Sequence, residues 1–171
     1  MKSMPNWESW ERKKPRPVTG WLDVQKLQGW LEPLSDIAQV ECDGMTRVVS
    51  HLLSKNGIEH IVAGGLLVDL KRIDDTAVSN HELCGVSHWW IELGYSYVVD
   101  FRARMWLGPE AQHGVFVPCA RFEYRTERRG MFSSLTEPVL ELMAGVKVSD
   151  WPSFDATAIL GEIAELERRL S

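Results

Sequence analysis

Apolar residues recur at helical spacing in some stretches of the chain and alternate with polar ones in others. Trp21, Val24, Leu27 and Leu31 predict a short amphipathic helix over 21–31, stopped by Pro33. Met45, Val48, Val49, Leu52 and Leu53 form a fuller stripe and predict a helix from Cys42 to Asn56, with Asn56-Gly57 as its C-terminal stop. Residues 58–70 are β-branched and aliphatic around Gly64-Gly65, the pattern of a bulged strand, and the polar stretch 71–84 predicts a loop. Alternation over 87–93 and 97–102, joined at Gly94-Tyr95-Ser96, predicts a hairpin. Short strands are expected at 115–117 and 122–124, and helices at 135–143 and 156–170. Helices, a run of strands and helices again make an α+β order. Residues 1–35 read as a Pro- and base-rich arm plus the short helix, leaving 36–171 as the main domain.

Composition narrows the function classes. The chain has 171 residues, 44% hydrophobic and 25% charged, which suits one folded domain and not a disordered segment. Its 19 Lys+Arg against 24 Asp+Glu give a net charge of -5, which excludes a general nucleic-acid binder. No apolar run reaches the ~18 residues of a membrane span, and the first residues (MKSMPNWESWERKKP) lack the apolar core of a signal peptide, so a cytoplasmic protein without a membrane partner is expected. Three cysteines in a reducing compartment make no disulfide framework. Cys84 and Cys119 are expected to be packing residues.

Cys42 differs by its place. It opens the 42–56 helix one turn before Met45 on the buried stripe, so its sulfur meets the positive end of the helix dipole. Glu41 and Asp43 oppose that effect, so a second activating group is needed, and histidine is the usual one. In the hairpin, Trp89, Ile91 and Leu93 alternate with His88, Trp90 and Glu92, and Tyr97, Val99 and Phe101 alternate with Val98, Asp100 and Arg102. If both bulky sets share one face, the strands pair with an even register sum. His88 and Asp100 then share the other face, directly across or diagonal, within ~4.5–8 Å. An imidazole and an orienting carboxylate are the base half of a Cys-His-Asp triad.

The run Glu-Cys-Asp-Gly-Met-Thr-Arg-Val-Val (41–49) resembles the nucleophile motif of NlpC-type cysteine peptidases. Ser-His-Trp-Trp-Ile-Glu-Leu (87–93) followed by Tyr-Val-Val-Asp (97–100) resembles transglutaminase-like proteins. Both groups have the papain-like superfold, in which the cysteine opens a helix packed on an antiparallel sheet that bears the other two residues. The resemblance covers about residues 40–102 and implies Cys42 as nucleophile, His88 as general base and acid, and Asp100 as orienting carboxylate. It departs from the pattern at Asp43, where a small polar residue is common, and at the bulky Trp89-Trp90 pair. The implied activity is that of a cysteine hydrolase (peptidase, amidase or deamidase) or acyltransferase on an amide bond of a protein or peptide substrate, with no cofactor. For the oxyanion, the Cys42 N–H is one expected donor and Gln39 a side-chain candidate, with Gln25 or Gln28 as alternatives. Trp90, two residues from His88 on the same face, is expected to border the cleft, binding substrate or shielding the thiolate–imidazolium pair.

Other readings are weaker. A protein-binding module using the same fold without turnover is the main alternative. His81, Cys84 and His88 have ligand-like spacing, with Cys119 or His113 to complete a zinc sphere, but they lack paired CxxC motifs. Gly64-Gly65 lacks the lysine and helix of a phosphate loop. Arg121, Arg125, Arg128 and Arg129 read as a solvated face balanced by Glu123 and Glu127.

Overall fold

The computed structural model describes residues 24–75, 85–94, 96–133 and 135–153, with the side chains of 37, 74 and 75 excepted. The 156–170 helix expectation, most of the N-terminal arm and the tryptophans at 7, 10 and 21 lie outside these residues. The order of elements is α1 (Val24–Ile37), α2 (Cys42–Lys55), β1 (Ile61–Asp69), α3 (Leu70–Asp75), β2 (Gly85–Leu93), β3 (Tyr97–Asp100), α4 (Ala103–Leu107), β4 (Gly114–Phe116), β5 (Phe122–Gly130) and α5 (Glu137–Ala144). The strands form one antiparallel sheet in the order β4-β3-β2-β1-β5, an α+β architecture.

Pro33 does not stop α1, which runs through it to residue 37. The proline removes one backbone donor, and the carbonyl this frees belongs to exposed Gly29, where water can reach it. Leu27, Leu31, Leu34 and Ala38, each at most 1% exposed, carry the apolar stripe past the proline. These side chains join α2, Ile91, Leu93, Val99 and Phe101 in one core, so a boundary at residue 35 would fall inside a helix that belongs to it.

The bulge expected at Gly64-Gly65 is present, as a register shift against β5 between the two glycines. A Cβ on Gly65 would lie 2.0 Å from the Arg125 carbonyl oxygen, so only glycine permits this approach. β5 extends to Gly130, beyond the strand expected at 122–124, because an edge strand needs pairing on one side only and tolerates Glu and Arg in place of apolar alternation. β3 ends at Asp100, and Phe101 and Arg102 leave the sheet to start α4. The stretch after β1, expected as loop, begins with α3.

Among the described residues no helix is long and apolar enough to cross a membrane. Cys119 is exposed, against the expectation of packing, because it lies in the open connection before β5, with its backbone N–H held by Gln112 Oε1 at 2.7 Å. Cys84 lies outside the described residues. The arginines around β5 are tied to carboxylates: Arg121 holds Asp69 through Nε (2.9 Å) and Nη2 (2.8 Å), Arg125 holds Glu123, and Arg129 holds Glu92.

Candidate functional site

β2 and β3 pair as Ile91–Val99, Glu92–Val98 and Leu93–Tyr97, an even register sum. The ladder parts beyond Ile91–Val99, with Asp100 ending β3 and His88 further along β2. The two side chains meet diagonally on the face opposite Ile91 and Leu93, with His88 Nε2 2.7 Å from Asp100 Oδ2. Both are almost fully enclosed, at 0% and 4% exposure.

Asp100 is held at every oxygen. Oδ1 accepts from the backbone N–H groups of Arg102 (2.8 Å) and Ala103 (2.9 Å), where the chain turns into α4. Oδ2 accepts from His88 and from the Tyr124 hydroxyl at 3.0 Å. A buried carboxylate needs such saturation to remain charged and fixed. Burial pushes the Tyr124 hydroxyl well above its ordinary range, and the charge and hydrogen bond of Asp100 push it further the same way, so this group stays a donor.

Cys42 is the first residue of α2 and is 8% exposed. It shares a cavity of about 10 Å³ with Ile91, Val99, Asp100, Phe101 and Arg102, at the parting of the ladder. Burial works against charge on His88, but the Asp100 carboxylate, by charge and hydrogen bond, outweighs it. Cys42 adds to the rise by hydrogen bonding and charge, and the imidazole is pushed up to about 9. With Nε2 committed to Asp100, Nδ1 is the nitrogen available to the thiol. Nδ1 has no partner at normal hydrogen-bond geometry, so the Cys42 contact is looser than the one with Asp100.

The segment that leads to Cys42 is held by Arg102, which the strand alternation placed beside Asp100 without a role. Its guanidinium is buried against the chain that leads into α2: Nε donates to Val40 O at 2.6 Å, Nη1 to Ser35 O at 3.4 Å and to Phe101 O at 3.0 Å, and Nη2 to Ala38 O. One side chain thereby ties the segment before the cysteine to the turn after Asp100. Gly44 lets that segment close in, since a Cβ there would lie 2.8 Å from Val40 Cβ.

The remaining expectations divide. The Cys42 N–H makes no hydrogen bond among the described residues and is free to donate. Gln39 lies exposed in the connection before α2, and its amide makes no hydrogen bond among the described residues. Gln25 is exposed, and the Gln28 carbonyl oxygen accepts from the Val115 N–H at 2.5 Å, which commits that side chain to the α1–β4 contact. Trp90 does not border an opening. It is 0% exposed, stacked near His88 (6.3 Å, 20°) and edge-on to Tyr124 (5.1 Å), because its face of the sheet is closed by Ala63, Val98 and Phe116. It therefore insulates the imidazole and has no surface for substrate. His81 and Cys84 lie outside the described residues, and among the described residues no group of His, Cys, Asp and Glu is arranged to hold a metal ion.

Tyr124 and the buried role of Arg102 escaped sequence inspection. Tyr124 reaches Asp100 from the far edge strand, and only the strand order sets that proximity. No family model, curated protein or solved structure matches this chain.

Proposed function

We propose that this chain is a cysteine-dependent hydrolase or acyltransferase with a papain-like, transglutaminase-like or NlpC-like core. The observation that carries the reading is the imidazole of His88, fixed through Nε2 to a saturated Asp100 while its other nitrogen is left to a cysteine at a helix start. An imidazolium beside that thiol favours the thiolate, and the helix N-terminus adds to it. The Cys42 thiolate attacks the carbonyl carbon of an amide, and the oxygen gathers negative charge near the Cys42 N–H and the Gln39 amide. His88 gives its proton to the leaving amine, which departs as the C–N bond breaks and leaves a thioester. His88 then takes a proton from water, or from an acceptor amine, which attacks the thioester and releases the thiol. Water as acceptor makes a hydrolase, and the residues themselves do not choose between the two.

A second reading, a protein-binding module of the same fold without turnover, draws on the closure of the site. Cys42 is 8% exposed above a cavity of about 10 Å³, room for about one water and none for a peptide.

Alkylation by iodoacetamide, resolved by mass spectrometry in a Cys119→Ser background, tests the pair directly. Activated Cys42 reacts at neutral pH, and His88→Ala slows it about tenfold or more. A Cys42 that reacts like an ordinary thiol in the folded protein ends the enzyme reading. Rapid alkylation without amine release from any peptide or glutamine amide supports the binding module.

A further inference from the structure

A second pocket, of about 100 Å³, lies between α2 and the segment that follows β5. It shares no lining residue with the cavity at Cys42. On the α2 side it is lined by Arg47, Ser50, His51 and Ser54, an i, i+3, i+4, i+7 stripe of donors beside the buried one. The opposite wall is mostly apolar, with Met131, Phe132, Leu135 and Leu140 beside Ser133. Along the α2 stripe Ser50 is buried, Arg47 and His51 are half-buried and Ser54 is exposed.

The groups in the pocket differ in how far they are committed. His60 Nδ1 donates to the Ile58 carbonyl at 2.9 Å, so its Nε2 accepts from the Ser50 hydroxyl at 2.7 Å. His51 lies 3.3 Å from Glu137, which also takes Lys55 at 2.8 Å. Among the described residues Arg47 has no such partner. Its guanidinium lies over the Phe132 ring at 3.9 Å, and among the described residues no carboxylate stands within ion-pair distance of it. Burial works against its charge, and Asp43 one turn away offsets that only in part. Stacking on a ring uses the flat face of the guanidinium and leaves its in-plane N–H fork free, the edge that takes two oxygens at once.

We propose that this pocket binds an oxyanionic group, a carboxylate or phosphoryl presenting paired oxygens, with Arg47 as its anchor and the Ser54 and Ser133 hydroxyls as further donors. A volume of about 100 Å³ admits such a group but not a nucleotide or a peptide side chain of size, so the rest of the ligand stays outside. The site is independent of the chemistry at Cys42.

The test is a titration of the full chain with inorganic phosphate and, separately, with acetate. Each is matched against sodium chloride at equal ionic strength and followed by the Arg47 Nε–H and Ser54 amide resonances. Saturable shifts with phosphate alone mark a phosphoryl ligand, and shifts with acetate mark a carboxylate. Arg47→Gln weakens the response about tenfold or more. Should that variant fail to fold, Ser54→Ala and Arg47→Lys weaken it by smaller factors, the lysine because it lacks the fork. Shifts no larger than those with chloride, or binding unchanged in the folded variants, overturn the proposal. Cys42 alkylation stays the same with or without the anion, so the pocket and the cysteine reading stand or fall separately.

Discussion

The two faces of the β2–β3 hairpin are built from alternate residues of the same strands, yet they are held by different physics. One face presents Ile91, Leu93, Val99 and Phe101 to Met45, Val48, Val49 and Leu52 of α2, an apolar contact without direction. The other presents His88, Trp90 and Asp100 toward Tyr124, a buried charged network in which both Asp100 oxygens depend on particular donors. Apolar packing degrades gradually when a side chain shrinks, whereas a buried network fails when one member is lost, since the others are left charged and unpaired. Stability should therefore concentrate on the α2 face, while the His88–Asp100 pair lies on the other and Cys42 joins it from the first residue of α2.

The largest expected effect is on the network. His88→Ala should lower any acyl turnover by about 10² to 10⁴, the range for loss of a general base, measured as amine release from an amide substrate. Next, on the opposite face, Leu93→Ala should cost about 2–5 kcal/mol in urea unfolding and leave Cys42 alkylation unchanged in the folded fraction. Loss of thiol reactivity there would show that the two faces are not separable.

Linkage comes third. The imidazole is at about 9 when folded against an ordinary 6.5, so its stabilisation is complete below about pH 6.5 and is lost as pH rises through about 9. The size is about 3 kcal/mol, read from unfolding at roughly pH 6 and pH 9.5. His88→Gln should remove most of that slope, and an unchanged slope would mean that the His88–Asp100 pair is not its source. The smallest effect belongs to Tyr124→Phe. It removes one of four donors to Asp100 and should cost about 1 kcal/mol, with the His88 imidazole resonances shifted in NMR.

How much of this was legible in the chain follows from the range of each interaction. Helix α2, the bulge at Gly64-Gly65 and the β2–β3 pairing are written in local spacing, and register parity alone carried His88 to Asp100. Pro33 misled, because a single missing donor costs little where the freed carbonyl meets water and the apolar stripe continues. β5 was read too short because edge pairing leaves no apolar alternation to read.

The sequence by itself determined that His88 and Asp100 share one face of the hairpin, since period and parity are properties of the chain alone. The tertiary structure decided what surrounds them. It brought Tyr124 across from the edge strand, turned Arg102 inward onto the carbonyls before Cys42, and sealed Trp90 where an open cleft was expected. The physical reason is that strand order and the splay after Asp100 arise from the packing of all the elements together, and no local pattern encodes either.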